Sequence, residues 1–495
     1  MIGPHLPILQ VALPLIAAPV CVLLRFGNLA WLLALLVSWV SFAIAIALLS
    51  QTMHGGTIDY FLGDWAPPWG IAYRIDAANA FVLLIVSGIS AVVLPYARRS
   101  VADEIPAGQR SLFYTCFLLC LSGLLGVTIT GDAFNLFVFL EISSLSTYIL
   151  VAMGAGRDRR ALTSAYTYLV MGTLGATFYV IGLGLIYMMT GTLNMADIAA
   201  RLQELGGNRT VHVAYAFIVV GIGLKLAMFP LHTWLPNAYT FAPSAVTAFL
   251  ASTATKVAVY VLLRFLLTIF GPTFPLEAQT LTYIFLPLAL IAMFAGSTVA
   301  IFQINLKRML AYSSIAQIGY MLLGISFGNL TGVTATVIHL FNHALMKGAL
   351  FMALGCVILR LERASIESVR GLGQAMPWTM AAFVAGGLSL IGVPLTAGFI
   401  SKWYLVSGAL EAGWWPVAIL IVASSLLAVI YIWRVVEVAY FSPAPEGRPP
   451  VTEAPLGMLL PVWVLVAANV YFGINADLTV DIAEEAALAL LGGGS

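Results

Sequence analysis

Long apolar runs recur along the whole chain, separated by short polar stretches. A run of about 20 apolar residues is long enough to cross a bilayer as a helix. Fourteen runs can be marked: 6–26, 29–50, 77–97, 111–130, 133–154, 163–190, 212–241, 243–267, 280–302, 309–327, 331–358, 377–407, 414–438 and 456–475. Two of them carry an interruption, at Pro230 and at Pro394. Proline removes a backbone donor and clashes with the preceding turn, so these two helices are predicted to break. No polar loop is long enough to make a soluble domain. The pattern predicts an all-α polytopic membrane protein with about fourteen transmembrane helices. The segment 51–76, with Gly63-Asp64-Trp65-Ala66-Pro67-Pro68-Trp69-Gly70, reads as turns carrying interfacial tryptophans.

Composition agrees. The chain is 61% hydrophobic and 9% charged, where a soluble domain carries about 25% charged residues. The basic residues are distributed unevenly. With the N-terminus outside, the inner loops collect Arg25, Arg98, Arg99, Arg110, Arg157, Arg159, Arg160, Lys307, Arg308, Arg360, Arg363, Arg370, Arg434 and Arg448. The outer loops hold only Arg74, Arg201, Arg209 and Arg264. Such an excess marks the cytoplasmic side. It predicts a multi-pass protein of the cell inner (plasma) membrane with both termini outside. The acidic tail (Asp477, Asp481, Glu484, Glu485) then lies on the outer side. The first run follows no basic region, so it is expected to stay as a span. Cys21, Cys116, Cys120 and Cys356 form no CxxC and read as small apolar packers. A net charge of +1 gives no sign of a nucleic-acid partner.

The chain also repeats itself. Residues 141–154, beginning Glu141-Ile142-Ser143-Ser144, align without gaps on residues 311–324, beginning Ala311-Tyr312-Ser313-Ser314. Two runs after each comes an interrupted helix. Five runs per unit, over 111–267 and 280–438, place the two units in opposite orientations. The predicted organisation is three leading helices in 1–110, two inverted five-helix repeats each with a broken helix, and a last helix with its tail in 439–495. Paired broken helices in inverted units point to a transport pathway.

Charges inside the runs are few, and an ionisable group at membrane depth is a functional candidate by default. Glu141 is the one carboxylate deep in a run. Lys225 lies five residues before Pro230, Lys256 mid-run among serine and threonine, and Lys402 just past Pro394. His339, His343 and Lys347 fall at i, i+4 and i+8, one face of one helix. Glu141 and Lys225 are expected to pair, either as a switch or as a static ion pair. A stripe of titratable groups suits a proton relay. HxxxH spacing also suits zinc, and two satisfied core histidines or snorkelling lysines are the plainer alternatives. His232 is a weaker candidate that caps the break. No CxxC, no dinucleotide-binding glycine fingerprint and no haem-ligating pair is present, so no cofactor is expected.

Phe139-Leu140-Glu141, Gly223-Leu224-Lys225 through Pro236, Ala242-Pro243-Ser244, Lys307 through Ser314 and His343-Ala344-Leu345-Met346-Lys347-Gly348 together resemble one family. It is the antiporter-like membrane subunits shared by respiratory complex I, membrane-bound hydrogenases and multi-subunit Mrp cation/proton antiporters. Chain length, the lack of a long C-terminal lateral helix and the Gly63–Ile71 segment look most like the D subunits of Mrp antiporters. The resemblance implies Glu141 and Lys225 as an input-side pair and Lys256 as a bridging lysine. It implies His339, His343 and Lys347 as a middle relay and Lys402 as the terminal charge, where one relative has Glu. It implies a proton-translocating subunit of a Na+/proton antiporter with other membrane subunits as partners. The alternatives are a proton-pumping subunit of a redox complex, and a scaffold with a dead ion path.

Overall fold

The computed structural model describes residues 3–205, 208–271, 274 and 276–492. Helices α1 (Leu6–Leu24) and α2 (Gly27–Gly55) lead into a hairpin of β1 (Ile58–Phe61) and β2 (Ala72–Ile75). Next come α3 (Ala77–Glu104), α4 (Arg110–Ile129), α5 (Ala133–Ala152), α6 (Arg160–Thr190), the short α7 (Met195–Leu205), α8 (Arg209–Leu226) and α9 (Leu235–Phe241). The middle of the chain forms α10 (Ser244–Ser252), α11 (Ala254–Leu263), α12 (Glu277–Thr280), α13 (Leu286–Ile301), α14 (Leu306–Ser326) and α15 (Leu330–Leu361). The remainder forms α16 (Leu372–Ala375), α17 (Pro377–Ile391), α18 (Ala397–Glu411), α19 (Trp415–Phe441), α20 (Leu456–Ile474) and α21 (Asp477–Leu491).

Thirteen helical stretches are long and apolar enough to cross a membrane. The half-helices α17 and α18, 15 residues each, complete the fourteenth crossing expected from the sequence. A helix apolar on every side belongs in the middle of a bundle. Accordingly α10, α14 and α15 are buried along almost their whole length. At the periphery α1, α2, α6, α13 and α19 turn large apolar side chains outward, among them Leu23, Trp39, Tyr166, Ile291 and Leu426.

Three expectations need correction. The segment 51–76 is more than turns: β1 and β2 pair antiparallel, Ile58 opposite Ile75, with Trp65 and Trp69 exposed at the tip. The acidic tail is a helix. In α21 the small and apolar Ile482, Ala483, Ala486, Ala487 and Leu490 pack against α3 and α15, while Asp477, Asp481, Glu484 and Glu485 face outward. The run 243–267 is interrupted. Thr253 (φ −126°, ψ −59°) separates α10 from α11, and residues Arg264–Phe270 continue as a π-helix.

The hairpin end of the bundle is tied together by charge. Asp76 caps α3, accepting from the backbone of Ala78 and Asn79, and pairs with Arg264 at 2.8 Å. Burial acts to push the Asp76 carboxyl up. The Arg264 guanidinium and the two backbone N–H groups outweigh it and hold the carboxyl below the usual range. Tyr73 of the hairpin bridges to Thr130, and Asp132 to Asn194, so the hairpin, the start of α5 and α7 meet at this end.

Candidate functional site

The first break follows from its residues. α8 ends in Ala227, left-handed at φ 60°, and Pro230 has no N–H to resume the ladder. The freed Leu224 carbonyl accepts from the indole of Trp234, past the break, at 2.9 Å. Trp234 stacks on Tyr168 at 3.9 Å, and Tyr168 packs edge-on against Tyr148. Lys225, in the last turn of α8, donates to the Ser144 hydroxyl, which itself donates to the Leu140 carbonyl at 2.5 Å. Its ammonium also lies 6.0 Å from the centre of the Tyr148 ring.

Glu141 is one helical turn from Ser144 on the same face of α5. Among the described residues, no ion pair within 4.0 Å joins it to Lys225. The expected contact is replaced by Lys225 to Ser144, because Glu141 sits toward the exposed stripe of Phe134, Val138, Leu145 and Ile149. Its Oε1 is nonetheless buried without a protein partner among the described residues. His232 does not cap the break. Its Nδ1 has no protein partner among the described residues, and its ring stacks on Phe229 at 5.1 Å.

Lys256 is fully buried at the interruption of the next helix. Its ammonium donates to the Ala251 carbonyl, which the break at Thr253 frees, with the Thr255 hydroxyl 3.5 Å away. This lysine does not reach the surface.

The stripe on α15 forms as its spacing predicts. The His339 and His343 rings lie parallel, 5.8 Å between centroids and 3° apart in plane. His339 Nδ1 shares a hydrogen bond with Ser401 at 2.8 Å, while its Nε2 and both nitrogens of His343 have no protein partner among the described residues. Lys347 donates to the Leu310 carbonyl at 2.8 Å and to the Ser313 hydroxyl. Among the described residues, no group of three or more His, Cys, Asp or Glu is placed to hold a metal ion. Lys402 turns back into the break of its own helix, donating to the carbonyls of Leu390 at 3.1 Å and Ile391 at 2.7 Å. At 7% exposure it does not snorkel.

The two breaks match in backbone geometry. α17 ends in Gly392 at φ 88°, ψ 42°, as α8 ends in Ala227 at φ 60°, ψ 41°. A half-helix C-terminus presents unpaired carbonyls and the negative end of the dipole. Lys402 places its ammonium on such carbonyls at the second break, whereas Lys225, in the last turn of α8, gives its ammonium to Ser144 of α5.

The sequence pattern of the family described as "NADH:quinone oxidoreductase/Mrp antiporter, TM" matches residues 130–428. The chain belongs to this family. It is 43% identical over 493 residues to the NADH-quinone oxidoreductase subunit N of Desulforudis audaxviator, covering 95% of this chain and 96% of that one. It is 29% identical to the Na(+)/H(+) antiporter D subunit of Bacillus subtilis, covering 98% and 97%. Its fold matches a chain of the Mrp complex from Dietzia sp. DQ12-45-1b with a TM-score of 0.90 at 26% identity, over 99% and 98% of the two chains. The chain is thus an antiporter-like membrane subunit.

Within this antiporter-like frame, six of the seven predicted residues lie at or beside helix breaks or on α15, while Glu141 lies midway along α5 toward its exposed stripe. The structure adds partners that the sequence reading passed over. Ser144 and Ser313 belong to the repeated Ser-Ser pair, and each receives a lysine. Their recurrence was the available signal. Ser401 and Trp234 had none. Glu277, which precedes its predicted run, is the first residue of α12 and 4% exposed, so Glu141 is not the only buried carboxylate.

Proposed function

We propose that this chain carries protons across the membrane within a multi-subunit monovalent cation/proton antiporter of the plasma membrane, with Na+ as the exchanged cation. The path runs through Glu141, Lys225, Lys256, Lys347, His343, His339 and Lys402. The observation that carries the reading is how the buried lysines are held. Lys225, Lys256, Lys347 and Lys402 are held by hydroxyls and backbone carbonyls, and among the described residues no ion pair within 4.0 Å involves any of them. A buried ion pair that loses one charge strands the other at a cost of about 3–5 kcal/mol. An ammonium among neutral acceptors sheds its proton and leaves no stranded charge. Four such groups at breaks and along one helix suit transfer better than they suit support.

The exposed apolar stripe on α5 brings Glu141 to the edge of the subunit, where a carboxylate facing hydrocarbon is costly. A neighbouring subunit covering that face removes the cost and places the input of the path at the contact. A second reading is a proton-pumping subunit of an NADH:quinone oxidoreductase or membrane-bound hydrogenase type complex; the 43% identity to a subunit N supports it.

Two measurements decide. Glu141→Gln in the full complex is expected to abolish cation/proton exchange in everted vesicles at normal complex abundance; near-normal exchange would remove the residue from the path. Affinity purification of the tagged wild-type chain should recover other small membrane subunits and no flavin or iron–sulfur protein. Recovery of redox subunits selects the second reading.

A further inference from the structure

The relay along α15 is not the only polar route between Lys347 and Lys402. On α14, Ser313, Gln317 and Tyr320 fall at i, i+4 and i+7, one face of the helix. On α19, Ser424 and Tyr431 share a buried face, seven residues apart, with Ser425 beside them. These two faces meet. The Tyr431 hydroxyl lies next to Ser313 and near Tyr320, and the Tyr320 hydroxyl is 3.3 Å from that of Ser425 with Ser424 adjacent. The ends of the seam are the two lysines. Lys347 donates to Ser313, and the Lys402 ammonium stands 5.0 Å from the centre of the Tyr320 ring.

The seam is polar where packing alone favours apolar side chains. Tyr431, Ser424 and Gln317 are at most 1% exposed, yet Tyr431 Oη, Ser424 Oγ and Gln317 Oε1 have no protein hydrogen-bond partner among the described residues. An unsatisfied buried polar atom costs about 1–3 kcal/mol. Three of them on the facing sides of α14 and α19 describe positions that bridging waters complete.

We infer that the α14–α19 seam is a second proton conductor, parallel to the histidines, joining Lys347 to Lys402 through Ser313, Tyr431, Ser424 and Tyr320 with intervening water. Resting on the proton-path reading above, it assigns these hydroxyls to the path itself. The transfer balances along the file. The Lys347 ammonium gives one proton to the first acceptor, each hydroxyl or water accepts one and passes on another, and the neutral Lys402 amine takes the last. Two O–H bonds change at each hydroxyl and none is lost. The histidine route makes the same connection through His343, His339 and Ser401, so either branch alone sustains part of the flow.

The test is cation/proton exchange by the full complex in vesicles, per assembled complex, for Tyr431→Phe, His343→Ala and the double variant. Phenylalanine keeps the ring in place and deletes only the hydroxyl. Parallel branches carry additive shares, so the fractions of the rate left by the two single variants should sum to about one, about a twofold loss each for equal branches, and the pair should lose at least fiftyfold. A double variant whose remaining rate equals or exceeds the product of the two single-variant fractions would overturn the branch. Ser424→Ala, which likewise deletes only a hydroxyl, should repeat the result, and its failure in the His343→Ala background counts equally against it. Lys402→Gln separates the two readings. If it abolishes exchange while the double variant is merely multiplicative, the seam alone is wrong. If Lys402→Gln exchanges at the full rate, the shared end point is lost and both readings fall.

Discussion

At the residue scale, the chemistry of the site is set by which neutral atom each lysine finds. Lys225 reaches Ser144 while Glu141 stands one turn away with an oxygen that has no protein partner among the described residues. A lysine that alternates between the two must be able to lose and regain its proton, and arginine does not shed its own. Lys225→Arg is therefore expected to lower exchange at least tenfold, close to Lys225→Ala, at equal abundance in membranes. If arginine supports wild-type exchange, the residue is only a fixed positive charge. Ser144→Ala removes the resting acceptor and should lower the rate severalfold without changing assembly, checked on the same vesicles.

At the element scale, the two broken helices end alike but not with the same residue. Ala227 shows that a side chain at this left-handed position is tolerated in the first break. Gly392 has a second reason to be glycine. A Cβ there would stand 2.8 Å from Cδ of Lys402, which crosses over the cap to reach Leu390 and Ile391. Gly392→Ala therefore costs both left-handed strain, about 1–2 kcal/mol, and the position of the terminal lysine. Exchange should fall at least tenfold while thermal stability drops only slightly. A variant that loses stability but exchanges normally once assembled would show that the cap does not position Lys402.

At the scale of the whole molecule, the hairpin end is held by the Asp76–Arg264 pair, with side chains 12% and 11% exposed. Removing one member of such a buried pair costs about 3–5 kcal/mol. Asp76→Asn should lower the thermal midpoint of the purified protein at neutral pH. The pH dependence has a definite sign. Because the folded carboxyl is held below its unfolded value, its contribution is complete above about pH 4 and lost as pH falls through the folded value. The gap in midpoint between wild type and Asp76→Asn should close below about pH 4. A gap unchanged down to pH 3 would mean that the pair is not what joins α3 to this end.

What the sequence determined by itself was whatever depends on neighbours along the chain. Apolar run length set the number of crossings, proline chemistry set the breaks at Pro230 and Pro394, and helical spacing put His339, His343 and Lys347 on one face. Hydrophobicity and backbone chemistry act locally, so they are legible in a string of residues. The tertiary structure decided the partners. It gave Lys225 to Ser144 rather than to Glu141, opened α10–α11 at Thr253 without a proline or glycine to announce it, and buried Glu277 at a helix start. It also brought Ser313 and Tyr431 side by side across 118 residues (431 less 313). Acceptor choice depends on how helices distant in sequence pack against each other, and no periodicity along one helix encodes which face of another it will meet.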